Sequence, residues 1–468
     1  RHAGNAGQID WDRHDHATTI ENIAYRKTQS AFDDQTPSDY FGLRVLGQID
    51  VPASGEWRFG LGSDQSAMLF IDDEPVVVDA SGHSYRWRHG TVQLSAGKHD
   101  IEVRFWEGYG DAGLHLSWSG PTVPAEILVP RTALSLRETE TPTDTGGGLR
   151  AYWTTNARHA GNAGQIDYAK HSSSSIVDNV SWQKTQGAFY TDGPSDYFGL
   201  RLISRLDIPE SGEWTFGLGS DQSAVLLIDD EPVVVDASGH SYRWRTGTIT
   251  LDEGQHKFEV LYWEGYGDSG LHVSWKGPES MFEEIIPASA FDAYDTDPVY
   301  DPGEAALAVD WFSNTRDYTL DSHPWTDPAK QTTESRVSWN KTTGAFTSGV
   351  PADYFAARVT ATLDVPETGT WTFRVGSDQY ARLMIDDSTV VDDSSGHSMR
   401  WRSGEIMLEA GEHELVLEFM EGYGDAALYL TWQGPDDDFE RVIPASAFVK
   451  QDRVRVVQWR EIGGDNNR

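Results

Sequence analysis

The stretch "GSDQSAMLFIDDEPVVVDASGHSYRWR", starting at Gly62, returns with few changes from Gly219 and again from Gly376. Asp64, Asp221 and Asp378 stand 157 positions apart (221 − 64 and 378 − 221), as do Trp57, Trp214 and Trp371. A period of that length is too long for a solenoid turn, because about 100–150 residues already make a module that buries its own core. The chain is therefore built as three similar modules, and whatever one does is done three times.

The seams follow the repeat. "ETETPTDTGGG" (Glu138 to Gly148) is poor in apolar residues and reads as a flexible linker, while "DTDPVYDPGE" (Asp295 to Glu304) carries two prolines and reads as a stiffer one. We expect modules at residues 1–137, 149–294 and 305–449, linkers at 138–148 and 295–304, and a tail at 450–468 whose "VRVVQW" could open a further module. The second copy begins "LRAYWTTNARHAGNAGQID" where the first begins "RHAGNAGQID", so the first is expected to lack an opening strand.

Within each module, "GEWRFGLGSD", "AMLFIDDEPVVVD", "HDIEVRFWEG" and "AGLHLSWSGP" are short, β-branched or aromatic, partly alternating, and closed by Gly, Asp and Pro turns. No segment carries a capped helical period. The expected fold class is all-β, with three tandem antiparallel β-sandwich modules joined by short linkers. Asp72-Asp73, between two apolar runs, reads as a tight hairpin turn. On a strand, His83, Tyr85 and Trp87 would share one face. Methionine (Met399) stands where Tyr85 stands in the first copy, so Tyr85 and Trp87 read as core and His83 as a candidate at the loop mouth.

Charge narrows the partners. Seventy-four acids against 37 bases give a net charge of −37, which repels nucleic acid and anionic membranes. No apolar run approaches the roughly 20 residues of a membrane span. The absence of cysteine excludes disulfides and thiolate metal sites.

The order of these motifs resembles the protective-antigen fourteen-kilodalton (PA-fourteen) domain. The shared marks are a Gly-x-Trp-x-Phe strand, a Ser-Asp-x turn, an Ile-Asp-Asp hairpin, "L-x-x-G-x-H", and a closing "L-x-x-S/T-W-x-G-P". The resemblance covers nearly all of each copy. It implies carbohydrate-binding modules like those of bacterial glycosidases, adhesins, toxins and yeast flocculins.

In the lectin members, two consecutive aspartates in the Ser-Asp-x turn hold calcium together with a second loop before the last strand, and sugar hydroxyls complete the shell. The first loop here is Asp64-Gln65, Asp221-Gln222 and Asp378-Gln379, with glutamine in the second aspartate's place. In the second loop the amide-ligand position is Glu107, and the backbone-carbonyl positions are Tyr109 and Asp111. The copies of that loop are Glu264, Tyr266 and Asp268, then Glu421, Tyr423 and Asp425. An acid and an amide thus change places between the loops, leaving the formal charge unchanged, and the set supplies carboxylate, amide and carbonyl oxygens of the kind calcium takes. The expected sugar-contacting residues are the Asp-Gln pairs, the three tyrosines, and His83, His240 and His397.

A plainer reading stands beside this one. "SDQ" also suits an Asx-turn, and "EGYGD" a hairpin whose Gly108 and Gly110 need positive φ.

Paired acids such as Glu107 and Asp111 could serve glycoside hydrolysis. Threefold repetition adds little to catalysis, however, whereas linked weak sites raise avidity by about 10²–10⁴ on a polyvalent target. The sequence therefore points to a non-catalytic, secreted or cell-surface, calcium-dependent carbohydrate-binding array, with self-association possible. The alternative is a structural rod or filament unit whose calcium only stiffens loops.

Overall fold

The computed structural model describes residues 4–11, 16–20, 22–28, 32, 37–136, 148–185, 188–189, 193–294 and 306–449. The "VRVVQW" tail and most of both linkers lie outside the described residues. Each module is a sandwich of two antiparallel sheets, and among the described residues the only helical turns are short 3-10 turns. No helix among them is long and apolar enough to cross a membrane.

In the first module one sheet runs Leu134–Ser135, Phe41–Val51, Gly97–Glu107, Ser66–Ile71, Glu74–Asp79. The facing sheet runs Ala24–Thr28, Ala112–Gly120, Gly55–Ser63, Arg86–Leu94, with Val123–Leu128 beside Ala112–Gly120. The second and third modules repeat this plan and add two strands to the first sheet, Leu149–Thr154 with Ser173–Val177, and Leu307–Ser313 with Lys330–Glu334.

Period-two alternation builds the core. Along Gly55–Ser63, Trp57, Phe59 and Leu61 point between the sheets and are at most 1% exposed, against Val103, Phe105 and Leu116. The outer face of the same strand carries Gly60 and Gly62. A Cβ on Gly62 would stand 2.8 Å from the Trp87 ring, so this glycine lets an aromatic lie flat across the strand.

That bed of glycine corrects the expectation for the aromatics. Tyr85 and Trp87 are on the outer face, not in the core: Trp87 is 38% exposed and the Tyr85 hydroxyl meets His115 Nδ1 at 2.8 Å. Alternation separates two faces of a strand, but it does not say which one is covered. The strand also begins only at Arg86, so His83 lies in the bend before it and shares no strand face with Trp87.

Asp72 and Asp73 take φ of 50° and 65°, two consecutive positive values that make the tight hairpin turn. Asp72 Oδ1 accepts from the Asp100 amide at 2.9 Å, and its Oδ2 meets His99 Nδ1 at 2.6 Å.

By contacts the chain divides into two compact units. One comprises Arg1–Thr155 with His171–Asp297, and the other Asn156–Lys170 with Pro298–Arg468. The segment Asn156–Lys170, although it belongs in sequence to the second module, is thus grouped with the third.

Candidate functional site at one end of each sandwich

Strand register gathers the acids. Phe41 pairs with Glu107, Ser66 with Trp106, and Ser63 with Leu114, so the ends of five strands meet beside the two loops. The first loop is fastened to the second: the Asp64 amide donates to Gly113 O at 3.0 Å, and the equivalents donate to Gly270 O at 2.9 Å and Ala427 O at 3.0 Å. Asp64, Asp221 and Asp378 are each 4% exposed, and Glu107, Glu264 and Glu421 are each 0% exposed. Carboxylates this deep are costly unless something offsets their charge.

The glutamine of the first loop stands in an unusual backbone state. Gln65, Gln222 and Gln379 have φ of 68°, 68° and 76°, in the left-handed region that few residues other than glycine adopt. The turn is clamped from two sides. The Gln65 amide donates to His83 O at 2.7 Å, and Ser63 Oγ donates to Gln65 O at 3.2 Å. Residues held in this way cluster at functional sites. Of the two loop glycines expected at positive φ, Gly110 has it (114°), as do Gly267 and Gly424. Gly108 does not; a Cβ there would meet the Trp106 ring at 2.8 Å, so close approach explains it.

Sequence reasoning missed a fourth acid. Asp39 lies just before strand Phe41–Val51, and its Oδ1 accepts from the Gly110 amide at 2.9 Å. Asp196 and Asp353 do the same for Gly267 and Gly424 at 3.0 and 2.9 Å. The available signal was the Ser/Ala-Asp-Tyr-Phe text preserved in all three copies.

These acids act on one another. Burial pushes the Glu421 carboxyl up to about 8, and Asp378, Asp353 and Asp425 push in the same direction. Glu264 is likewise raised to about 8, first by burial and then by Asp221, Asp196 and Asp268, against a bond from the Tyr262 hydroxyl at 2.5 Å.

At the rim stand the expected tyrosines. Tyr109 and Tyr266 are 75% exposed and Tyr423 is 73% exposed. Tyr109 lies 6.5 Å from Tyr40 and Tyr266 lies 6.4 Å from Tyr197, each pair offering aromatic faces beside the acids. The histidines are placed otherwise. His83 Nδ1 meets Ser84 O at 2.9 Å, and its Nε2 lies 2.8 Å from Asp79 Oδ2 with the side chain 8% exposed. His240 and His397 repeat this with Asp236 and Asp393. These rings are held in the hairpin, where Asp79 also takes Arg86.

The donors are hard oxygens, chemically suited to calcium and unsuited to softer metals. Among the described residues, no three His, Asp or Glu side chains converge to form a metal cage by themselves. A cation here would draw on backbone carbonyls, the glutamine amide and ligand oxygens as well as on carboxylates.

The PA14 domain signature matches residues 10–131, 148–289 and 307–444. Among solved structures, the chain is similar to an anti-sigma factor domain-containing protein from Clostridium clariflavum, at 19% identity and a TM-score of 0.31, over 65% of this chain and 100% of that one. It is also similar to the PA14 sugar-binding domain from an RTX adhesin, at 18% identity and a TM-score of 0.28, over 32% and 99%. A third likeness is to the Epithelial Adhesin 9 A domain from Candida glabrata in complex with Galb1-4GlcNAc, at 13% identity and a TM-score of 0.27, over 35% and 96%. Comparison with curated proteins yields no match. With its signature present in three successive segments that take up most of the sequence, the chain belongs to the PA14 domain family, as three tandem copies.

Proposed function

We propose that each module is a calcium-dependent carbohydrate-binding site and that the chain is a multivalent, non-catalytic lectin array acting outside the cell. One observation carries the reading: in all three modules a fully buried glutamate and a buried aspartate share a sandwich end with a tyrosine that is about three-quarters exposed, and in the second and third the glutamate carboxyl is raised by burial and by three neighbouring aspartates. Concentrated negative charge at a sandwich end favours a cation, and an exposed aromatic face favours the apolar face of a pyranose.

Asp64, Gln65 and Glu107, with the backbone carbonyls of Tyr109 and Asp111, are the residues that would hold calcium in the first module. In the second they are Asp221, Gln222, Glu264, Tyr266 and Asp268, and in the third Asp378, Gln379, Glu421, Tyr423 and Asp425. Calcium in such a site supplies positions for sugar hydroxyl oxygens. The chain's own contribution is the fixed turn at Gln65, the buried carboxylates and the stacking surface of Tyr40 and Tyr109. Its net charge of −37 suits calcium-rich surroundings.

Calorimetric titration of calcium into the 468-residue chain tests the site. Three sites are expected, at an affinity of about 10⁻⁴–10⁻³ M as in other extracellular modules. The triple variant Asp64→Ala, Asp221→Ala, Asp378→Ala should bind none while keeping its β-sheet circular dichroism. Unchanged calcium heats in that variant would refute the assignment.

A further inference from the structure

The second compact unit shows one module's face covered by another module's loop. Segment Asn156–Lys170 lies on the outer face of the third module. The His159 ring stacks on Tyr429 at 3.9 Å and 9°, and Trp401 Nε1 donates to His159 O at 2.7 Å. Asn162 Nδ2 and Gln165 Nε2 both donate to Glu440 Oε1, at 2.8 and 2.9 Å, while Thr431 Oγ1 donates to Glu440 Oε2 at 2.7 Å. Gly164 is required by proximity: a Cβ on it would stand 1.7 Å from the Glu440 carbonyl oxygen.

The first unit repeats the arrangement one module earlier. A Cβ on Gly7 would stand 1.7 Å from the Glu283 carbonyl oxygen, and Asn179 Nδ2 donates to Asp10 Oδ2 at 3.2 Å. Arg336 Nη1 likewise donates to Asp167 Oδ1 at 3.0 Å in the second unit. Gly7 with Gly164, Asp10 with Asp167, Asn179 with Arg336 and Glu283 with Glu440 are all pairs 157 positions apart (164 − 7, 167 − 10, 336 − 179, 440 − 283). The same text, "GNAGQID" (residues 4–10 and 161–167), thus docks on the same face twice.

The first module has this face too, and it is exposed. Trp87 and Leu128 are 38% and 45% exposed, whereas Ile285, the counterpart of Leu128, is 7% exposed beneath the docked segment. Glu126 is already posed as Glu440 is: Ser117 Oγ donates to its Oε1 at 2.7 Å, and Arg58 Nη1 to its Oε2 at 2.9 Å. Two large, partly exposed apolar side chains beside a preset carboxylate make a patch of the sort that marks an interaction site.

We infer that this face of the first module, centred on Trp87, Glu126 and Leu128, is a docking site for the Arg-His-Ala-Gly-Asn-Ala-Gly-Gln-Ile-Asp loop of a further module of the same kind. The third module cannot supply that loop. Where Gly164 stands in the second, the third has Asp321, whose side chain would occupy the space of the receiving carbonyl, and Asp321 instead pairs with Arg382 at 2.6 Å. A second copy of this chain joined through its third module is therefore not the occupant.

The test is titration of a synthetic peptide with the sequence of residues 154–171 into the full 468-residue chain, read by tryptophan fluorescence and by calorimetry. One-to-one saturable binding is expected. Glu126→Ala should weaken it at least about tenfold, whereas Glu283→Ala, on a face already covered, should not. The same peptide with valine in place of the Gly164 residue should not bind. Absence of saturation up to millimolar peptide, or equal binding by the valine peptide and the Glu126 variant, would overturn the proposal. Sedimentation of the chain alone provides a further control: self-association abolished by Glu126→Ala would assign the face to a second copy and overturn the named occupant.

Discussion

The second and third modules carry the same four acids in different surroundings. Asp196, Asp221, Glu264 and Asp268 correspond to Asp353, Asp378, Glu421 and Asp425, yet the walls around them differ. Tyr262, whose hydroxyl bonds Glu264, becomes Phe419; Trp263 becomes Met420; and Ser223 becomes Tyr380. At the rim, Tyr197 faces Tyr266, while Tyr354 lies under the Arg316 guanidinium at 4.6 Å. Despite losing the Tyr262 hydroxyl, Glu421 remains buried and raised to about 8, as Glu264 is. The acid cluster persists where its packing has changed, which argues that the charge is what each module retains and that the walls tune what sits beside it.

The largest expected effect comes from removing the shared part. The triple Asp64→Ala, Asp221→Ala, Asp378→Ala variant should lose glycan retention by at least about 100-fold, because avidity from three sites disappears together. Each single variant should lose only part, and equal retention by single and triple variants would end the multivalent account.

Gly164→Val comes next. It forces a side chain against the Glu440 carbonyl and should destabilise the Asn156–Lys170 docking by about 1–3 kcal/mol. A lower unfolding temperature with increased quenching of Trp401 would register it, and an unchanged melting curve would contradict the docked geometry.

The pH response has a defined sign. The Glu421 carboxyl is raised above its ordinary value of 4.5, so its ionisation opposes folding. In metal-free protein the contribution of this group is fully present below about pH 4.5 and is lost as pH rises toward about 8; calcium should reverse that loss. Glu421→Gln should flatten that part of the slope in thermal melts measured from pH 5 to 8.

Tyr262→Phe makes the second site resemble the third. It removes a bond of about 0.5–1.5 kcal/mol that favours ionised Glu264, so more protons should be released on calcium binding at pH 7. Calorimetry in buffers of different ionisation enthalpy reads this directly. The smallest effect is expected of Arg316→Ala, which frees Tyr354 from a contact of about 0.5–1 kcal/mol and should change the glycan preference of the third module more than its stability.

The residues show which parts of this account were legible in advance. The period of 157 and the Asp72-Asp73 turn could be read because repetition and turn chemistry are written in consecutive residues. The outward placement of Trp87 could not, because it depends on Gly62 in a neighbouring strand. Asp39 escaped because it lies far from both loops in sequence and reaches Gly110 only when the sheet forms. The pairing of His83 with Asp79 escaped for the same kind of reason, since it forms only once the hairpin folds. The docking of "GNAGQID" had one sequence signal, its recurrence in two modules and replacement in the third, but nothing in the text named the face that receives it.

The most direct measurement of the central claim is retention of the full chain on a broad glycan array in millimolar calcium and then in excess chelator. The account predicts binding to a restricted set of glycans that chelator removes and calcium restores, with the triple aspartate variant silent throughout. Retention that is indifferent to chelator and to the triple variant would contradict it.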